Sequence, residues 1–194
     1  MNREHLIKFI EEVLPMPRNK VVEIASFFQY IEIAKDEYFI KYEKINNKYL
    51  FLERGFIRSY TYDLEGKEVT TNFYSECQVV FEVSSFFQGT SSKENFQALE
   101  KCVGWYINYE QLQLLFHNIP EFREFGRMIL VKGFIDFKQR TLSLINETAE
   151  QRLDNLVKIR PEIFQKAPLK NIASYLGITD TSLSRIRREI ANKK

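Results

Sequence analysis

Residues 169–190 meet, position by position, the demands of two short helices that cross at a tight turn. They read Leu169-Lys170-Asn171-Ile172-Ala173-Ser174-Tyr175-Leu176-Gly177-Ile178-Thr179-Asp180-Thr181-Ser182-Leu183-Ser184-Arg185-Ile186-Arg187-Arg188-Glu189-Ile190. Backbones that approach closely need a small residue at the crossing, which is Ala173. The turn needs a residue at ease with positive φ, which is Gly177. Leu183 and Ile186 give the second helix an apolar inner face that Ile190 continues, and Ile172, Leu176 and Ile178 complete a small core. Thr179 is a sound N-cap for that helix. The spacing predicts a helix-turn-helix.

The other face of the second helix then becomes the candidate contact surface for double-stranded DNA, because the N-terminal part of such a helix meets base edges. It offers Thr179, Thr181, Ser182 and Arg185, with Arg188 one turn further on. Arg185 is the expected base reader, since a guanidinium bonds guanine O6 and N7 together. Arg188, Arg187 and Lys170 are expected on phosphates. Asp180 suits the helix N-terminus through the macrodipole. Charge points the same way. Residues 148–194 hold ten Lys/Arg, Lys193 and Lys194 among them, against five acids, a surplus of +5. The whole chain is only +2, so the rest of it carries −3. A basic unit on a slightly acidic body fits a polyanion-binding module attached to something else.

That body has its own grammar. Leu6, Phe9, Ile10, Val13 and Leu14 fall at helical spacing before Pro15 and Pro17, and a second short helix is expected through Val21 to Phe28. From about Glu32 to Tyr106 the text is rich in β-branched and aromatic residues with little helical period. Tyr49-Leu50-Phe51-Leu52 and Phe56–Tyr62 read as strands. Asp63-Leu64-Glu65-Gly66 is a turn that returns through Val69–Phe73, and Val103–Ile107 is the last strand. Short strands at this spacing predict a β-sandwich or barrel-like roll rather than a parallel sheet.

Pro120 opens a long helix over residues 121–146, about 37 Å at 1.5 Å per residue. Met128, Val131, Ile135 and Leu142 lie on one seam, and Phe125, Leu130, Phe134 and Phe137 on a second stripe. Two stripes imply two neighbours: the roll on one side, and the same helix of a second copy on the other. A helix buried inside a monomer is the alternative. Gly133 either permits close approach or merely weakens this helix. Thr148-Ala149-Glu150-Gln151 has the capping-box form and starts another helix. The fold class is therefore α+β. Residues 1–118 form an antiparallel β-roll with N-terminal helices, 119–146 a long dimerisation helix, and 147–194 a small α-helical helix-turn-helix domain.

Several functions find no support. Two cysteines, Cys77 and Cys102, cannot supply a four-thiolate cluster, and His5 and His117 have no ligand partner at metal spacing. No set of titratable residues has the form of a catalytic site, so neither catalytic nor metal-binding residues are assigned. With no apolar run of membrane-spanning length and no signal peptide, a cytoplasmic protein is expected, without membrane partners.

The order of roll, long helix and helix-turn-helix resembles the Crp/Fnr family of regulators. So do the stretches "FIRSYTYDLEGKEVTTNF" and "IASYLGITDTSLSRIRREI". The resemblance implies a homodimeric transcriptional regulator with a cyclic nucleotide-binding-like roll that senses a small effector. It would read two half-sites about one helical turn, ~34 Å, apart, with RNA polymerase as a further partner.

Members that bind cyclic AMP carry a Gly-Glu-Leu turn and an Arg-Ser/Thr-Ala run whose Arg grips the phosphate. Here the stretch is Phe81-Glu82-Val83, and no Arg occurs between Arg58 and Arg123. Lys93 is the only cation between Glu82 and Ala98, and Lys replaces a bidentate Arg poorly. The residues facing a cyclic-AMP base would fall near Phe137 and Lys138, which cannot repeat that contact. These departures argue against cyclic AMP, and no cofactor is assigned. Glu82, Lys93 and Gln97 remain the candidate effector contacts. The roll's aromatics, Phe73, Tyr74, Phe81, Phe86, Phe87, Phe96, Trp105 and Tyr106, either line an apolar pocket or simply fill the barrel. The family's wing hairpin is cut here to "RPEIFQKAPLK". Two alternatives stand beside the regulator reading. One is cyclic-nucleotide control. The other is an interaction module with a degenerate helix-turn-helix, since Asp180 and Thr181 lie where related regulators often carry charged base readers.

Overall fold

Two helices, α1 (Glu4–Val13) and α2 (Arg18–Ser26), lead into the strands β1 (Gln29–Ile33), β2 (Tyr38–Ile40), β3 (Lys48–Arg54), β4 (Ile57–Tyr62), β5 (Glu68–Tyr74) and β6 (Gln78–Val80). A short helix α3 (Val83–Gln88) precedes β7 (Asn95–Ala98) and β8 (Cys102–Asn108). Helices complete the chain: α4 (Tyr109–Asn118), α5 (Pro120–Asn146), α6 (Ala149–Ile159), α7 (Ile163–Lys166), α8 (Leu169–Tyr175) and α9 (Asp180–Asn192). This computed structural model describes residues 2–192; Lys193 and Lys194, counted in the basic surplus, lie outside them.

The strands form two four-stranded antiparallel sheets, ordered β1-β8-β3-β6 and β2-β7-β4-β5. Between them lie Ile33, Ile40, Leu50, Leu52, Ile57, Val80, Phe96 and Cys102. On the outer face of the first sheet, Tyr49, Phe51, Trp105 and Ile107 pack against Leu6, Ile10, Val21, Ile24, Leu112, Phe122 and Phe125 of the helices. Strand β3 therefore sends Leu50 and Leu52 inward and Tyr49 and Phe51 outward. Burial on both faces is the reason this stretch is an unbroken apolar run.

The outer face of the second sheet carries a third core. Phe56 and Phe73 join Leu153, Leu156, Ile163, Ile172, Ala173, Leu176, Leu183 and Ile186 of the C-terminal helices. Phe73 also meets the Tyr175 ring at 5.3 Å. The helix-turn-helix thus shares its apolar core with the roll. Edge strand β5, whose N–H groups would otherwise face water, is covered by α8. Thr70, at 0% exposure, spends every polar group there. Its N–H donates to Ser174 Oγ at 2.8 Å, its Oγ1 accepts from Arg58 Nε at 2.9 Å, and its carbonyl accepts from Arg140 Nη2 at 3.2 Å.

Two expectations are corrected. Residues 32–106 are not all strand and turn: Glu82 caps α3 by accepting from the N–H groups of Ser84 and Ser85. And α5 does not lay its second stripe on the roll. Phe125 is buried, but Leu130, Phe134 and Phe137 are 42%, 66% and 70% exposed. The reason is that α5 leaves the body after its first two turns and is exposed throughout residues 130–139. A Cβ at Gly133 would meet nothing within 4 Å, so within this chain no close approach requires that glycine. The seam residues Met128, Val131, Ile135 and Leu142 are exposed as well.

Candidate nucleic-acid interface

The local geometry of the helix-turn-helix follows from the residues that predict it. Gly177 has φ +69° and donates its N–H to Ser174 O at 3.0 Å, while Ile178 N–H reaches Ala173 O at 3.0 Å. This left-handed closure terminates α8. Thr179 caps α9: its Oγ1 accepts from Ser182 N–H at 3.2 Å and lies 2.9 Å from the hydroxyls of both Thr181 and Ser182. With Leu183 and Ile186 buried, the opposite face of α9 is directed outward. Thr181, Arg185 and Arg188 are exposed there and Ser182 is half-buried, while Thr179 and Lys170 are exposed at the N-terminal ends of α9 and α8. The six DNA-facing candidates therefore lie on the open side of the motif.

Glu189, which sequence reasoning did not single out, stands one turn beyond Arg185, and its Oε1 is 3.4 Å from Arg185 Nη1. Its signal was the i, i+4 spacing. With Arg185 at 70% side-chain exposure the pair is weak.

The basic surplus divides on folding. Arg160 Nη2 donates to Phe73 O at 2.9 Å and Arg152 Nε to Leu176 O at 3.0 Å. Lys166 Nζ lies 2.7 Å from Glu100, and Lys158 pairs with Asp154 at 2.6 Å. These four face the roll, the protein's own carbonyls or a neighbouring acid. The segment in place of a wing holds α7, so its Lys166 serves the roll. Lys170, Arg187 and Arg188 remain exposed.

The candidate effector contacts are not brought together. The Glu82 carboxylate is engaged as a cap. Lys93 is exposed, and its carbonyl accepts from Thr61 Oγ1 at 2.8 Å. Gln97 stands on the outer face of the second sheet, since its neighbours Phe96 and Ala98 point inward, and its Nε2 donates to Asp36 O at 3.2 Å. The polar group inside the roll is a different one. Ser59 Oγ lies 2.7 Å from Thr71 Oγ1, and Thr71 in turn bonds Glu94. Burial and the nearby Glu82 push the Glu94 carboxyl up, against the pull of Thr71 and Arg140. Burial also pushes the Tyr74 phenol up to about 12. Nothing in the spacing of "SSKENF" marked Glu94, because its neighbours come from β4, β5 and α5.

Residues 30–118 match the family described as the cyclic nucleotide-binding domain. No curated sequence relative matches the chain. Among solved structures it is similar to FixK2 of Bradyrhizobium japonicum, at 16% identity and TM-score 0.69, over 86% of this chain and 85% of that one. It is also similar to the c-di-GMP-responsive global regulator CLP of Xanthomonas campestris, at 14% and 0.69, over 89% and 91%. A Crp/Fnr regulator of Eubacterium rectale gives 14% and 0.68, over 94% and 89%. Residues 30–118 thus carry the domain match, and the fold of the chain is similar to that of these regulators. Among the described residues no helix is long and apolar enough to cross a membrane.

Proposed function

We propose that the chain is a homodimeric, sequence-specific DNA-binding transcriptional regulator whose β-roll responds to a small molecule other than cyclic AMP. The observation that carries this reading is the outward face of α9. A capped helix on a well-formed turn presents Thr181, Ser182, Arg185 and Arg188 to solvent, with Lys170 and Arg187 free to neutralise phosphate. Two further observations support it. The exposed apolar seam of α5 suits a second copy of the same helix. The roll sets the Glu94 carboxyl, rather than a bidentate Arg suited to a cyclic phosphate, beside the Ser59–Thr71 pair.

The test is electrophoretic retardation of duplexes selected from a random pool, at rising salt. Lys170, Arg187 and Arg188 from each of two subunits predict log K falling against log [salt] with a slope of about −5. Retention that ignores salt, or no retention at any salt, refutes the reading. Thermal shifts with small metabolites identify the effector, because a ligand specific for the folded state raises apparent stability.

A further inference from the structure

Helix α8 ends at Tyr175, and the last carbonyls of any helix lack partners inside it. Two arginines from outside the motif take those carbonyls. Arg152 of α6 donates from Nε to Leu176 O at 3.0 Å and from Nη1 to Glu147 O at 2.6 Å. Arg140 of α5 donates from Nη2 to Tyr175 O and to Thr70 O, at 3.2 Å each. Its guanidinium also lies 4.1 Å from the centre of the Tyr175 ring. A cation at a helix C-terminus is favourable as a donor and against the macrodipole.

The two arginines differ in what they join. Arg152 ties α8 to the α5–α6 connection, its own neighbour in the chain. Arg140 joins three bodies: the long helix that bears it, strand β5 of the roll, and the turn of the helix-turn-helix. Because α5 is exposed throughout residues 130–139, Arg140 is where the helix next meets its own chain. Its Nε is buried without a hydrogen-bond partner among the described residues, and Glu94 inside the roll acts on it electrostatically. Charge in the roll interior therefore bears on the group that holds α8.

We propose that Arg140 is the positioning residue that fixes the helix-turn-helix relative to the long helix, and so sets the distance between the two recognition helices of the dimer. This rests on the regulator reading above. A lysine does not substitute in full, because its ammonium can donate to both carbonyls but has no planar face to lie on the Tyr175 ring.

The full-length chain is tested on a palindrome selected from random duplexes by the wild type. The other probes are the same palindrome with its centre lengthened or shortened by one or two base pairs, and a single half-site. Wild type loses about tenfold or more on each spacer change, since half-site spacing is geometric. Arg140→Ala and Arg140→Lys bind the parent palindrome about tenfold more weakly, accept the altered spacers within about twofold, and bind the half-site as wild type does. A general folding defect would lower half-site binding too, and that result refutes the positioning role. If Arg140→Ala keeps wild-type spacer discrimination, the inference falls while the DNA-binding reading survives. If wild type selects no duplex, both fall. Amide exchange without DNA gives a second measure: Arg140→Ala accelerates exchange about tenfold in residues 68–74 and 169–176 and leaves β3 and β8 unchanged. Unchanged exchange in those two segments also overturns the inference.

Discussion

The N–H of Thr70 donates to Ser174 Oγ at 2.8 Å, so an edge strand of the roll is bonded to a side chain of the helix-turn-helix. Ser174→Ala leaves that buried N–H without an acceptor. It is expected to lower stability by about 1–3 kcal/mol in chemical denaturation. Ser174→Thr, which keeps the hydroxyl, loses less than half as much. Equal losses in the two variants would show that the bond contributes nothing.

Ile135 is 47% exposed at the middle of the α5 seam. Ile135→Asp places a charge where the second copy would bury an alkyl group, and should weaken dimerisation about a hundredfold or more. Light scattering at micromolar protein then reports monomers. A dimer of unchanged mass would place the interface elsewhere.

Arg185→Ala and Lys170→Ala should fail in different ways. Loss of Arg185 costs about 1–3 kcal/mol of discrimination per half-site and relaxes selectivity at the base pair it reads. Loss of Lys170 weakens all duplexes alike and makes the salt slope shallower by about two, one for each subunit. Competition binding at two salt concentrations separates them. Identical profiles would remove the distinction between reader and phosphate contact.

Glu94 supplies a pH test. Burial holds its folded-state pKa above the unfolded value, helped by Glu82 and opposed by Arg140 and the Thr71 hydroxyl. The folded state therefore binds that proton more tightly. Stability from this group is full at low pH and declines as pH rises from the ordinary carboxylate range through the raised value. Glu94→Gln should unfold at a higher temperature than wild type at pH 7.5, with the gap closing near pH 4. A gap that does not change with pH would mean that the carboxyl is not the cause.

The helix-turn-helix was legible because its determinants are local: Ala173, Gly177 and Thr179 each answer to a contact within a few residues. Strand β3 was legible as strand, although its double burial was not, because periodicity cannot say what covers each face. Helix α4 is not legible despite the Asn108-to-Gln111 capping box at its start, since it follows β8 without a break. The inner polar group was invisible for a different reason. Glu94, Ser59 and Thr71 meet only after three strands pair. The +5 surplus overstates the open basic surface, because Arg160 and Lys166 bond to the roll and Arg152 to carbonyls of its own domain. The long helix shows the same limit: its two stripes were read from spacing, yet only Phe125 of the second is buried in this chain.

The cover over Phe56 and Phe73 has a consequence for synthesis. Thr70 and Ser174 are 104 residues apart in the chain. At about 5–20 residues per second, the ribosome delivers α8 roughly 5–20 s after β5 has emerged. For that interval the nascent roll displays two bare aromatic rings beside an unpaired strand edge, a template for joining to another unfinished chain. A transcript truncated before residue 169 would leave that edge open for good, and its product is the form most prone to aggregate.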